Sequence, residues 1–229
     1  VTGLANLTVF AVPGFAFVFA LGALSFVLLA GRGKYSDYST NILLSGVIVG
    51  AVCSSMLMFI ISNLGYHELN SVTWWMLGNL QAANQQLLKI AMITTLFGTI
   101  LLFAMGRDTN LIALSEETAH NMGVPPVRTT LLLLGVASLM AAASVALAGI
   151  ISFVGLIVPH ILRKLFGADH RKLFPLGLLG GGTFLIICDT ISRSIMPAQE
   201  IPAGVITALI GGPFFIWLLN SRKGGDASA

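Results

Sequence analysis

The chain has 229 residues, of which 56% are hydrophobic and only 9% charged, for a formal net charge of +3. Soluble domains carry about a quarter charged residues, so a water-exposed globule is excluded: there are too few charges to cover its surface. The positive balance resides in short loops and gives no argument for nucleic acid.

Seven apolar runs meet, or nearly meet, the roughly 20 residues a helix needs to cross the hydrocarbon core. They cover about Phe10–Ala30, Ile42–Ser62, Leu87–Met105, Thr129–Ala148, Ile150–Phe166, Phe174–Ile191 and Ala203–Leu219. Pro13 falls near the start of the first, where proline is tolerated. Lys89, near the end of the third, is placed to snorkel outward. Between the fourth and fifth only Ala148-Gly149-Ile150 is left for a turn, and Gly149 supplies the backbone freedom it needs. Cys53 and Cys188 lie inside apolar runs and read as small buried hydrophobes, not as a disulfide or metal pair. The chain opens at Val1 with neither an initiator Met nor a secretory pattern, which leads us to expect sequence upstream. The triplet Asn6-Leu7-Thr8 carries no weight as a glycosylation signal.

Ten of the twelve basic residues fall in four gaps or tails: Arg32 and Lys34; Arg107 and Arg128; Arg163, Lys164, Arg171 and Lys172; Arg222 and Lys223. If the runs cross a bilayer in turn, these four segments share one face, which the positive-inside rule makes cytoplasmic. Val1 is then outside and the C-terminus inside. Taking 129–166 as one tilted element would put Arg128 and Arg163 on opposite faces and break the pattern.

Two pieces do not span. Outside, Asn70–Asn79 contains Trp74 and Trp75, which suit the headgroup zone. Either Ser71 caps a short interfacial helix that Gly78 ends, or the stretch is an aromatic-belt loop. Inside, Leu114–Pro126 predicts a two-turn helix. Ser115 is its cap, Glu116 and Glu117 sit at the positive end of the dipole, Gly123 is the left-handed stop, and Pro125 and Pro126 forbid continuation.

Catalytic patterns are missing. Gly31-Arg32-Gly33-Lys34 has neither the spacing nor the hydroxyl of a phosphate loop. His67-Glu68 lacks the second histidine of a zinc protease. Asp189 and Arg193, four apart at the outer end of the sixth run, read as an ion pair sharing a helix face; Arg193 can also offer its guanidinium to an extracytoplasmic partner. Glu200 is a loop acid on the same surface. Pro159 frees the carbonyl of Gly155, and His160 beside it suits a structural kink. Glycine is frequent in the last three runs, and Gly211-Gly212-Pro213 predicts an unwound or kinked stretch in the seventh, for packing or for lining a path.

These residues now show a family resemblance. Ser152-Phe153-Val154-Gly155-Leu156-Ile157-Val158-Pro159-His160-Ile161, then Gly167-Ala168-Asp169-His170-Arg171, is similar to the signature of the FecCD-type permeases. So are Asp189, Arg193, Glu200-Ile201-Pro202-Ala203-Gly204 and Ile210-Gly211-Gly212-Pro213-Phe214. These are membrane subunits of type II ATP-binding-cassette (ABC) importers for iron-siderophores, haem and cobalamin. The resemblance covers nearly the whole chain, which looks like the fourth through tenth of about ten spans.

The resemblance implies roles. Residues 106–128 become a cytoplasmic coupling loop within a single permease domain, 1–229. Glu117-Thr118-Ala119 and Gly123, followed by Val124 and Pro125, match the family's coupling pattern, with Thr118 replacing an alanine. Arg193 and Glu200 are implied to receive a substrate-binding protein. Ser55, Met56 and Phe59 fall on the helix implied to line the path, where a slippery wall would suit a carrier. Gly155, Pro159, His160, Asp169, His170, Arg171, Asp189, Gly204, Gly211, Gly212 and Pro213 are signature positions with structural roles.

The expectation is an all-α polytopic bundle in the bacterial inner membrane, C-terminus inside. It would work as a homodimer, or with a paralogue, beside an ATPase dimer and a binding protein. It would carry a metal chelate, with iron-siderophore first and haem and cobalamin next. The chain itself would be no enzyme and bind no cofactor or metal, since ATP and Mg belong to the partner. The rivals are an ion-driven secondary transporter, which calls for intramembrane acids or inverted repeats, and a membrane enzyme, which calls for His, Asp or Glu clustered at one depth.

Overall fold

A computed structural model describes residues 15, 18–31, 38–81, 85–195 and 201–223. Among them all regular structure is helical: α1 (Val18–Ala30), then α2 (Tyr38–Ser62), α3 (Tyr66–Met76), α4 (Gln85–Ala104), α5 (Gly106–Leu114), α6 (Glu116–Asn121), α7 (Pro126–Ala148), α8 (Val154–Phe166), α9 (His170–Ile195) and α10 (Ala203–Lys223). The all-α bundle is as expected. Pro13, Arg32, Lys34, Glu200 and the Asn6 triplet lie outside the described residues.

Helices α2, α4, α7 and α9 are long and apolar enough to cross a membrane. The first three are apolar on every side, the pattern of a helix that never meets water. Lipid is as apolar as leucine, so helix association there rests on close van der Waals packing. Accordingly α8 and α9 meet through Val158, Leu162 and Leu173, with Val154, Leu176 and Phe184 around them. Gly180 brings the backbone of α9 so near that a Cβ there would stand 3.1 Å from Val158 Cγ1.

Four expectations need correcting. The fifth run does not begin at Ile150: residues 149–153 are not helical, and α8 starts at Val154. At ~1.5 Å per residue α8 is only ~20 Å long, shorter than a ~30 Å core, and the link 149–153 precedes it. Gly149, at φ 72° and ψ −159°, and Phe153, at φ 68°, set the path of that link. The Gly211-Gly212-Pro213 stretch is not unwound: α10 runs helical through it. The Phe153 ring occupies the space a Cβ on Gly211 would need, so packing accounts for that glycine. The outer piece is a helix, but it starts at Tyr66 and not at Ser71. Gly65 is the N-cap, Glu68 reaches back to its N–H at 3.2 Å, and Ser71 Oγ bonds the His67 carbonyl. Finally, Cys188 is buried but Cys53 is exposed on α2, because α2 turns nearly its whole surface away from the rest of the chain.

Candidate functional site

Most candidate positions lie at two ends of the bundle: the end that carries α6, taken as inner from the loop charges, and the end that carries Arg193, taken as outer. At the inner end, α6 is capped as expected: Ser115 Oγ accepts the Thr118 N–H at 2.9 Å and donates to Thr118 Oγ1 at 2.7 Å. Thr118 therefore has a use where the family pattern has alanine. Ala119 is fully buried, whereas Glu116, Glu117 and His120 are exposed. Gly123 stops the helix at φ 81°, and the Val124 N–H returns to the Ala119 carbonyl at 2.9 Å. Pro125 is the N-cap of α7 and Pro126 its first residue, where a missing N–H costs nothing. Leu114, Met122 and Val127 stand 75%, 57% and 56% exposed around α6, an apolar rim on a helix that projects from the bundle.

The region 106–128 holds two helices and not one. The sequence reading missed α5 and its anchor. Asn110 Nδ2 donates to Asp169 Oδ1 at 2.7 Å, and Asn110 Oδ1 accepts the His170 N–H at 2.9 Å and meets His170 Nδ1 at 2.7 Å. Asp169 Oδ1 also accepts the Arg171 N–H at 3.0 Å. The signature residues Asp169, His170 and Arg171 thus form the start of α9 and join it to α5. The Asn110 amide, then the Arg171 N–H, holds the Asp169 carboxyl below its ordinary 3.8; the charges of Arg171 and Lys172 add to this and desolvation opposes it. No local pattern pointed to Asn110, since its partners lie 59 and 60 residues away.

At the outer end three backbones cross. A Cβ on Gly149 would strike the Trp75 carbonyl, one on Gly204 the Leu77 carbonyl, and one on Gly78 would lie 2.6 Å from the Ile150 carbonyl. Cross-chain bonds satisfy the exposed backbone: the Asn79 N–H donates to the Ala148 carbonyl at 2.9 Å and the Gly204 N–H to the Gly78 carbonyl at 3.2 Å. Unpaired backbone groups in the hydrocarbon core of a bilayer cost several kcal/mol. Beside this junction Arg193 Nε meets Asp189 Oδ2 at 2.8 Å and Nη2 meets Oδ1 at 3.3 Å, the expected ion pair. A small cleft of ≈ 50 Å³ opens there, lined by Trp74, Asn79, Gln81, Asp189, Ser192 and Arg193. Arg193 and the Gly123 turn are at opposite ends of the bundle, while Arg107, Arg128, Arg163, Lys164, Arg171 and Lys172 share the Gly123 end.

Ser55, Met56 and Phe59 line a shallow groove of ≈ 510 Å³ on α2. The two large side chains are 64% and 73% exposed, and Ser55 Oγ bonds the Ala51 carbonyl. Gly155, Pro159 and His160 border another of ≈ 360 Å³ with Arg163 and Phe215; the His160 ring stands edge-on to Phe214 at 6.1 Å. Among the described residues no group of His, Cys, Asp or Glu is arranged to hold a metal ion.

Residues 1–221 match the FecCD transport family. The chain belongs to that family. Its relatives include the cobalamin import system permease protein BtuC of Halobacterium salinarum, 40% identical over 221 residues (96% of this chain, 59% of that one). Another is the hemin transport system permease protein HmuU of Yersinia pestis, 33% identical over 208 residues (91% and 62%). Among solved structures, an ABC transporter assigned to the metal-chelate type, in an inward-facing conformation, superposes with a TM-score of 0.80 at 31% identity. That match covers 89% of this chain and 66% of the other. This FecCD-family chain therefore spans about three fifths of the length of the curated relatives it matches. Membership makes it a membrane-embedded chain, and α2, α4, α7 and α9 have the length and apolar composition to cross.

Proposed function

We propose that this chain is the path-forming and force-receiving part of a permease in an ATP-driven importer of metal chelates. The observation that carries the reading is a FecCD-family bundle whose inner end projects a short capped helix with an apolar rim. Its outer end is closed by crossed backbones beside a charged cleft. A six-residue helix ringed by Leu114, Met122 and Val127 suits docking into a groove on a separate ATPase. Glu117, Thr118, Ala119 and Gly123 would form that contact, and ATP with Mg would stay in the partner. Arg193 would receive an acidic side chain of a binding protein on the outer face. The exposed wall of α2, with Ser55, Met56 and Phe59, would face the path and a second copy of the permease. The location is then the inner membrane, with α6 and the C-terminus in the cytoplasm.

For the cargo, the relatives' names favour cobalamin or haem over an iron-siderophore. The test is uptake by proteoliposomes holding the full-length permease and its co-purifying subunits. Internal ATP should drive accumulation of labelled cobalamin or haem in the presence of the binding protein. Accumulation driven by a proton or sodium gradient without ATP would overturn the reading.

A further inference from the structure

We propose that Asn110 is a positioning residue for coupling: its carboxamide clamps α5 to the start of α9, so that a displacement of α6 reaches the α8–α9 pair as well as α7. The inference rests on the permease reading above.

The chemistry of the clamp admits one arrangement. A carboxylate only accepts and a backbone N–H only donates. The amide must therefore turn Nδ2 to Asp169 and Oδ1 to the His170 N–H, as found at 2.7 and 2.9 Å. With Oδ1 so placed, His170 Nδ1 carries a proton and donates to the same oxygen at 2.7 Å. Asparagine serves all three groups at once. Aspartate in its place would repel Asp169, and leucine would abandon every partner. A second contact backs the clamp: Gly106 lies so close to Arg171 that a Cβ would come within 2.9 Å of its Cγ.

The placement of the clamp gives it a mechanical meaning. α6 has two exits. Toward α7 the chain turns at Gly123, around which nothing lies within 4 Å of where a Cβ would stand. Toward α5 it passes Ser115, which caps α6 and, at φ −170°, is extended. A push on α6 therefore reaches α7 through an open glycine turn and α9 through α5 and Asn110. α9 carries α8 with it, because Val158 and Leu162 pack on Leu173. The α8–α9 pair thus receives the motion of α5 through this amide and the Gly106 contact.

The test is the ratio of cargo imported to ATP hydrolysed in proteoliposomes holding the complete transporter: full-length permease, ATPase and binding protein. In Asn110→Leu the ratio should fall about 3- to 30-fold, the range in which coupling residues act, while ATP hydrolysis persists. Asn110→Asp, a polar variant of equal size, should behave alike and serves if the leucine variant does not fold. The swap N110D/D169N should recover part of the ratio lost in N110D. In the swap the NH₂ now on α9 donates to the carboxylate now on α5, while the Arg171 N–H, which shares Asp169 Oδ1 with the Asn110 amide in the wild type, gives up its acceptor. An unchanged ratio in both single variants overturns the clamp. So does a parallel fall in uptake and hydrolysis, which marks a merely structural role, or a swap no better than N110D alone. Wild-type transporter without ATP-driven uptake overturns the permease reading and the clamp with it.

Discussion

The two ends of this bundle are held together by different means. Outside, α3, the link 149–153 and the start of α10 cross backbone against backbone, and at Gly78, Gly149 and Gly204 a single added carbon has no room. Inside, α5, α6 and the start of α9 are held by side chains, through the Asn110 amide and the Ser115 cap, and Gly123 turns in open space. Close-packed backbone has no second arrangement nearby, whereas a side-chain clamp and an uncrowded turn open at modest cost. One end is fixed by backbone contact, and the other is joined by contacts that can open.

The sharpest way to break this contrast is to make the same substitution at both ends. Gly149 sits at φ 72° and ψ −159°, a region essentially reserved for glycine that costs other residues about 1–3 kcal/mol. Its Cβ would also strike the Trp75 carbonyl. Gly149→Val should therefore abolish the monodisperse peak of the full-length protein in detergent, seen by fluorescence-detected size exclusion. Gly123→Val carries only the backbone penalty of about 1–2 kcal/mol, since its surroundings are empty. That variant should insert and fold, retain ATP hydrolysis with its partners, and lose uptake by about tenfold or more. Equal folding yields for the two variants would remove the distinction between the ends; normal uptake by Gly123→Val would remove α6 from the coupling path.

The sequence disclosed the parts of this design that are local. The Ser115 cap, the Gly123 stop and the Asp189–Arg193 pair each close within one or two helical turns, so their signals are continuous in the chain. Asn110 was invisible because its partners, Asp169 and His170, lie on another helix, and an asparagine among Gly106–Leu114 has no local meaning. The start of α8 was misplaced because Ile150 and Ile151 continue an apolar run, whereas the break comes from Phe153 turning left-handed against Gly211 of α10. That same contact accounts for Gly211, and α10 stays helical through Gly212 and Pro213 as well. At α3 the serine signal of Ser71 was genuine but unused, because Gly65 and Glu68 had already capped the helix one and a half turns earlier. Tertiary partners decided each of the first two misplacements, and an earlier cap the third.

A smaller effect sharpens the contrast at the outer surface. Arg193 and Asp189 are 50% and 28% exposed, so their pairing contributes about 0.5 kcal/mol or less to folding. Arg193→Glu should leave the size-exclusion profile intact and weaken the binding protein's affinity about 5- to 20-fold at low salt, with the difference shrinking as salt screens it. An affinity unchanged at both salt concentrations would take the docking role from Arg193.

The smallest effect separates the clamp from an ordinary surface contact through pH. The Asn110 amide and the Arg171 N–H hold the Asp169 carboxyl below its ordinary 3.8. A carboxyl whose folded value is depressed adds stability that is complete above the unfolded value and is lost as pH falls through the folded one. The clamp should therefore be unaltered between about pH 7 and 5, begin to weaken only below about 3.8, pass its midpoint at the lower folded value and open fully only below it. The side-chain amide resonance of Asn110 in the full-length protein reports this directly, and Asp169→Asn should flatten its acid dependence. A resonance already lost between about pH 7 and 5 would take control of the clamp away from Asp169.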